Sequence, residues 1–205
     1  MAIIDVPAGL GFAEAAWEID TPFQDNRSVW TSARRGVLLP GAAHWFCTVE
    51  FAGVGLGDGA AAPGRAFLAA LEGMKNSFRL RAAKDQHTLS VSPQAKAGAI
   101  AEQSTMTIKN LPASAVHLPA GYYITVRRPS GKEQMLMLTA PLVANGSGEA
   151  LAQFKPPLIE APAADSAVET RDPWCLMSQT TTRVGWRNGR GNSHAFNGLS
   201  LEEVV

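Results

Sequence analysis

From His44 to Phe51 the chain alternates. Trp45, Cys47, Val49 and Phe51 fall on one side, and His44, Thr48 and Glu50 on the other. A period of two predicts a strand with one buried face. The preceding run "SVWTSARRGVLL" reads as a second strand, joined to the first by a turn at Pro40-Gly41. Everything before about Asp25 is rich in Ala, Gly and Pro and reads as an irregular lead-in with one short strand.

After Phe51 the pattern changes. "GVGLGDGAAAPG" is glycine-rich, but it lacks the spacing and the Lys-Ser or Lys-Thr of a phosphate loop. It reads as a flexible connector. A helix then begins, with Pro63 in its first turn, where a missing N–H costs nothing. Phe67, Leu68, Leu71 and Met74 form its apolar stripe. "SFRLRA" resumes as a strand. Trp45, Phe67, Leu71 and Phe78 are expected in one core, with the helix on the strand of Trp45.

Periodicity is lost over 89–104, which reads as a boundary. Beyond it come "TMTIKNL", "AGYYITVRR", "EQMLMLTAPLV" and "EALAQFKPPL". The turns "PSGK" and "NGSG" separate them, and Gly and Asn there admit positive φ. Met135–Leu138 is apolar on both faces, as in a closed small barrel. The last strands, around "PWCLMS", "VGWRN" and "HAFNGLSLEEVV", need partners, and the N-terminal sheet offers the nearest edge. Asn197-Gly198 predicts a break, after which Leu199 and Leu201 share a face. The fold class is therefore mainly β. A β-sandwich or barrel base with one covering helix takes residues 1–95 and 170–205, and a small β-barrel is inserted at 100–168.

Composition narrows the function. The chain has 205 residues, zero formal net charge and 18% charged residues. Zero net charge argues against a broad nucleic-acid footprint. A surface this poor in charge suits a protein that buries much of itself against other subunits. Two cysteines, Cys47 and Cys175, exclude a disulfide scaffold and read as buried thiols. The N-terminus lacks a basic n-region and no run is long enough for a membrane span, so synthesis in the cytoplasm is expected.

Little catalytic chemistry stands out. His44, His87, His117 and His194 lie in separate segments without metal-ligand spacing. The acids, among them Asp5, Glu14, Glu18, Asp20, Asp25, Glu50, Asp58, Glu72 and Asp85, are scattered. "GNSHAF" lacks the last glycine of a nucleophile elbow. Arg34-Arg35 and Arg127-Arg128 are short basic pairs, each expected to turn one arginine outward. Trp17, Trp30, Trp45, Trp174 and Trp186 all fall in the base, where core packing accounts for most of them. No catalytic, cofactor-binding or metal-binding residue is nominated, and the chain reads as a non-enzyme.

The order of these motifs resembles tailed-bacteriophage distal tail proteins, the tail-tip and baseplate ring proteins. The carrying features are a strand ending in Trp30, a basic turn, "LPGAAHWFCTVEF", then "AFLAALEGMKNSFRL". The stretch "LPAGYYITVRRPSGKEQMLMLTAPLVANGSGEALAQFKPPL" is similar to the oligonucleotide-binding-like barrel that such proteins insert. "AFNGLSLEEVV" resembles their closing strand. The family's acidic residue after the glycine of "GYYI" is missing here. The resemblance implies a homohexameric ring at the end of the tail, joining tail tube protein to the baseplate hub or other tail-tip proteins. The inserted barrel would hold fibres or receptor-binding proteins, with no membrane contact and DNA only in transit through the lumen. It implies a virion location after synthesis in the host cytoplasm. A closed ring needs lateral contacts, and the strands Leu199–Val205 and Gly41–Phe51 are the expected edges. The alternative is a receptor- or carbohydrate-binding minor tail protein reading its ligand through Tyr122 and Tyr123.

Overall fold

The computed structural model describes residues 2–39, 43–52, 57–189 and 194–205. The protein is mainly β, with 43% strand, and its described residues contain one helix. In chain order the strands begin with β1 (Phe12–Asp20), β2 (Phe23–Arg27), β3 (Arg34–Leu38) and β4 (His44–Phe51). Helix α1 (Gly57–Ala70) precedes β5 (Ser77–Arg81), β6 (Gln94–Ala95), β7 (Thr105–Lys109), β8 (Val116–Leu118) and β9 (Tyr123–Arg127). Then follow β10 (Glu133–Leu138), β11 (Leu142–Val143), β12 (Ala150–Lys155), β13 (Val168–Glu169) and β14 (Trp174–Gln179). The chain closes with β15 (Trp186–Asn188), β16 (His194–Phe196) and β17 (Leu199–Glu203).

The chain divides into two compact units. The first combines Met1–Glu18, Trp45–Ala82 and Trp174–Val204. The second combines Ile19–His44 with Ala83–Pro173 and Val205. The stretch around β2 and β3, assigned to the base from sequence, thus groups with the second unit.

The first unit holds a five-stranded sheet in the order β1-β4-β17-β14-β5. Its buried face follows from alternation. Leu199 pairs with Val49, Leu201 with Cys47 and with Gln179, Met177 with Phe78, and Cys175 with Leu80. All these side chains are buried. Glu203 shares this face opposite Met177, and its Oε2 accepts a hydrogen bond of 3.1 Å from the Trp45 N–H. The C-terminal strands do complete the N-terminal sheet. However, β17 and β4 lie in its interior, each paired on both sides. The expected edges Leu199–Val205 and Gly41–Phe51 are therefore corrected: the edges are β1 and β5. The Pro40-Gly41 turn lies outside the described residues.

Two other expectations change here. The lead-in contains a nine-residue strand, β1, although its sequence FAEAAWEID is alanine-rich and a weak β-former. Sheet pairing and the partial burial of Trp17 override propensity, with Trp17 edge-on to Trp45 at 6.0 Å. The helix also starts earlier than expected. It runs from Gly57, so Pro63 is inside it and part of the supposed connector is helical. Gly53–Leu56 of that connector lie outside the described residues. Ala61, Gly64, Phe67 and Leu68 form the buried stripe, and Phe67 meets Phe78 edge-on at 5.3 Å. Gly64 allows close approach, since a Cβ there would stand 2.6 Å from the Phe196 ring. Left-handed Glu72 and Gly73 end the helical segment, leaving Met74 exposed rather than in the stripe. Trp45, Phe67, Leu71 and Phe78 are all buried.

The second unit carries a curled six-stranded sheet, β13-β9-β10-β12-β7-β6, that forms a half-barrel. Its two outer strands are tied together. The Ala95 N–H donates to the Ser166 carbonyl at 2.9 Å and the Val168 N–H to the Pro93 carbonyl at 3.0 Å. The 89–104 stretch is thus not only a boundary, because Gln94–Ala95 forms the last strand of this sheet. Ile108, Leu118, Ile124, Leu136, Leu138, Leu142 and Phe154 fill its core. Both expected hairpin turns form. Asn145 Oδ1 accepts from the Ser147 and Glu149 N–H groups. Gly148 has φ +72, and a Cβ there would stand 2.6 Å from the Leu111 carbonyl oxygen.

Candidate interaction surfaces

The most exposed large apolar side chains occur on a hairpin. β2 and β3 pair from Phe23↔Leu38 to Arg27↔Arg34. The tip, Ser28–Ala33, closes on itself. The Ser28 N–H donates to the Ala33 carbonyl at 2.9 Å and the Ser32 N–H to the Ser28 carbonyl at 3.0 Å. Ser28 Oγ accepts from the Thr31 N–H at 3.2 Å. This turn turns Val29 and Trp30 into solvent, at 93% and 95% exposure. Sequence reading placed both within a strand. The run S-V-W-T-S-A has high β-propensity, and only the serine and threonine hydroxyls hinted at a turn. Arg34 and Arg35 are both exposed, so the expected division of that pair fails. Arg34 is engaged by Asp25 at 2.8 Å and lies over the Phe23 ring. In the other pair Arg127 is exposed and Arg128 is buried.

Tryptophan burial also differs from expectation. Trp45 is buried, Trp17 and Trp174 are half-buried, and Trp30 and Trp186 are exposed. Trp174 carries Arg79 over its ring at 5.6 Å, beside a groove lined by Ile4, Val6, Phe12 and Arg81.

A second surface is the outward face of the five-stranded sheet. The period of two that buries Cys47 and Leu201 turns Phe46, Thr48, Glu50, Ser200 and Glu202 the other way. A shallow groove of about 370 Å³ runs there, bordered by Glu18, Phe46, Thr48, Thr180, Ser200 and Glu202. Its charged borders are carboxylates. Cys47 is buried behind this surface, and burial pushes its thiol up to about 12, which keeps it protonated and unreactive. Cys175 is likewise a buried free thiol.

The histidines supply the polar cluster that spacing concealed. His87 and His117 lie in the second unit with ring centroids 4.5 Å apart. Thr170 Oγ1 stands 3.0 Å from His87 Nε2 and 3.3 Å from His117 Nε2. One hydroxyl proton can be donated only once, so at least one of the two rings is the donor, through its Nε2–H. Gln86 fixes the neighbouring backbone. Its Nε2 donates to the Tyr123 and Thr170 carbonyls, each at 2.8 Å, and its Oε1 accepts from the Tyr123 N–H at 2.9 Å. Desolvation by burial, aided by the nearby His87, lowers the His117 pKa to about 4. The His117 ring is therefore neutral at pH 7. Among the described residues no three His, Cys, Asp or Glu side chains group as metal ligands. His44 and His194 lie in other elements.

Tyr122 and Tyr123 sit beside a shallow groove of about 360 Å³ with Lys84, Asp85, Gln86 and Gly121. Only Tyr122 is exposed. No helix among the described residues is long and apolar enough to cross a membrane. No family model matches the chain, and neither does any curated protein.

Proposed function

We propose that this chain is a structural protein of a phage tail tip, forming a ring that joins tail tube to baseplate hub or other tail-tip proteins. Two kinds of observation support the reading. One is the order of motifs along the sequence, which resembles distal tail proteins. The observation that carries it furthest is the Val29–Trp30 tip, an apolar knob exposed to water. A monomer gains nothing from such exposure, whereas a subunit of an assembly buries it. The ring's lumen would pass DNA, and the barrel would face fibres or receptor-binding proteins. Negative-stain electron microscopy of the purified protein tests this. Closed rings with a central opening are expected, and a field of single small particles at all concentrations overturns it.

A receptor-binding minor tail protein is the second reading, favoured by the exposed Tyr122 at its groove. A groove with one exposed aromatic offers a sugar little stacking area. A glycan array separates the readings, because the ring protein binds none of the sugars.

A further inference from the structure

We propose that the β2–β3 hairpin is the inserted half of a contact between copies of this chain. Its Val29–Trp30 tip and basic flanks seat on the acidic outward face of β4 and β17 in a neighbouring copy. This rests on the reading of the protein as a self-assembling ring.

The argument begins with charge. The chain is formally neutral as a whole, and two of its surfaces carry opposite charge. The hairpin carries Arg27, Arg34 and Arg35 against the single acid Asp25, a net charge of three minus one. Asp25 is already engaged with Arg34, which leaves Arg27 and Arg35 as its outward cations. The β4–β17 part of this sheet face, with the neighbouring β1, presents Glu18, Glu50 and Glu202, and among the described residues no lysine or arginine borders its groove; Arg79 and Arg81 share the sheet face only on the far strand β5. Opposite patches on one neutral chain are complementary to each other, so a second copy is the occupant that needs no further partner.

Shape and order agree. The groove offers Phe46 as an apolar floor, flanked by the methyl-bearing Thr48 and Thr180. Tryptophan and arginine are the side chains that most often anchor interfaces. The tip's own hydrogen bonds hold it in place before any contact, so little freedom is lost on docking. The two patches are different surfaces, so the contact is heterologous. Heterologous contacts between identical chains close into rings or run on as filaments. The carboxylates would also orient the approach, which makes assembly weaken as salt rises.

The test is charge reversal read by native mass spectrometry and size-exclusion light scattering. One variant carries Arg27→Glu and Arg35→Glu, and the other carries Glu18→Arg and Glu50→Arg. All four side chains are exposed, so circular dichroism should match the wild type. Each variant alone should be monomeric. An equimolar mixture should reassemble, because each hairpin then meets a face of opposite charge. Trp30→Ser should weaken association about tenfold or more. A wild-type assembly that persists unchanged in both charge variants overturns this contact and leaves the ring reading standing. A monomeric wild type overturns both. Two monomeric variants that fail to reassemble on mixing also overturn the pairing.

Discussion

Acid should selectively weaken the second unit, through His117. Its ring is 5% exposed, lies 4.5 Å from His87, and shares the Thr170 hydroxyl with it. Burial first, and the His87 charge second, lower its pKa from 6.5 to about 4. Above pH 6.5 neither the folded nor the unfolded chain protonates this ring, so stability is indifferent to it. Between 6.5 and about 4 the unfolded chain takes up a proton that the folded protein refuses. Stability therefore falls as pH falls through that window and levels off below it. A gap of roughly 2.5 pH units at 1.36 kcal/mol each amounts to about 3 kcal/mol. That is a large fraction of a domain's typical 5–15 kcal/mol or so. Carboxylates titrate in the same range, so the comparison is with His117→Gln, which can still bond Thr170 but cannot charge. Urea denaturation of both proteins at pH 7 and pH 4, followed by circular dichroism, gives the difference. The wild type should lose about 3 kcal/mol more than the variant between the two pH values. The ring protons of His117, followed by NMR, should titrate well below 6.5. A His117 that titrates at 6.5 or above would refute the reasoning.

Three further outcomes follow from packing and backbone. Leu71→Ala removes a fully buried side chain at the end of α1 and should cost about 2–5 kcal/mol by denaturant titration; a loss below about 0.5 kcal/mol would mean the helix does not cover this core. Gly148→Ala forces a Cβ to 2.6 Å from the Leu111 carbonyl oxygen at a positive φ, and should cost more than about 1 kcal/mol; an unchanged melting temperature would contradict the turn geometry. Excising residues 83–173 should leave a cooperatively unfolding first unit, because Arg81 pairs with Trp174 and a two-residue turn can join the adjacent strand ends. Non-cooperative melting of the shortened chain would show that the first unit depends on the second.

The curled sheet of the second unit was legible because its signals are local. "PSGK" and "NGSG" are glycine turns, and Met135–Leu138 is apolar on both faces, so strand ends and burial both follow from neighbours in sequence. The sheet row of Cys47, Leu199 and Leu201 was legible for the same reason, being a plain period of two. The failures are non-local. β1 is a strand because Trp17 finds Trp45, which an alanine-rich segment does not announce. Helix α1 begins among glycines because Ala61 and Gly64 fit closely beneath neighbouring elements, with Gly64 against Phe196. The His87–His117–Thr170 cluster draws on residues 30 and more positions apart, so spacing rules for metal or catalytic motifs had nothing to register. The hairpin tip was missed because valine, tryptophan and threonine favour strands, and its turn is held by backbone bonds across Ser28–Ala33.

The central claim is self-assembly into a closed ring, and the mass of the native particle tests it most directly. Native mass spectrometry should find six copies of the 21.7 kDa chain, about 130 kDa, in one discrete species. A single species at 21.7 kDa across the accessible concentration range would contradict the account.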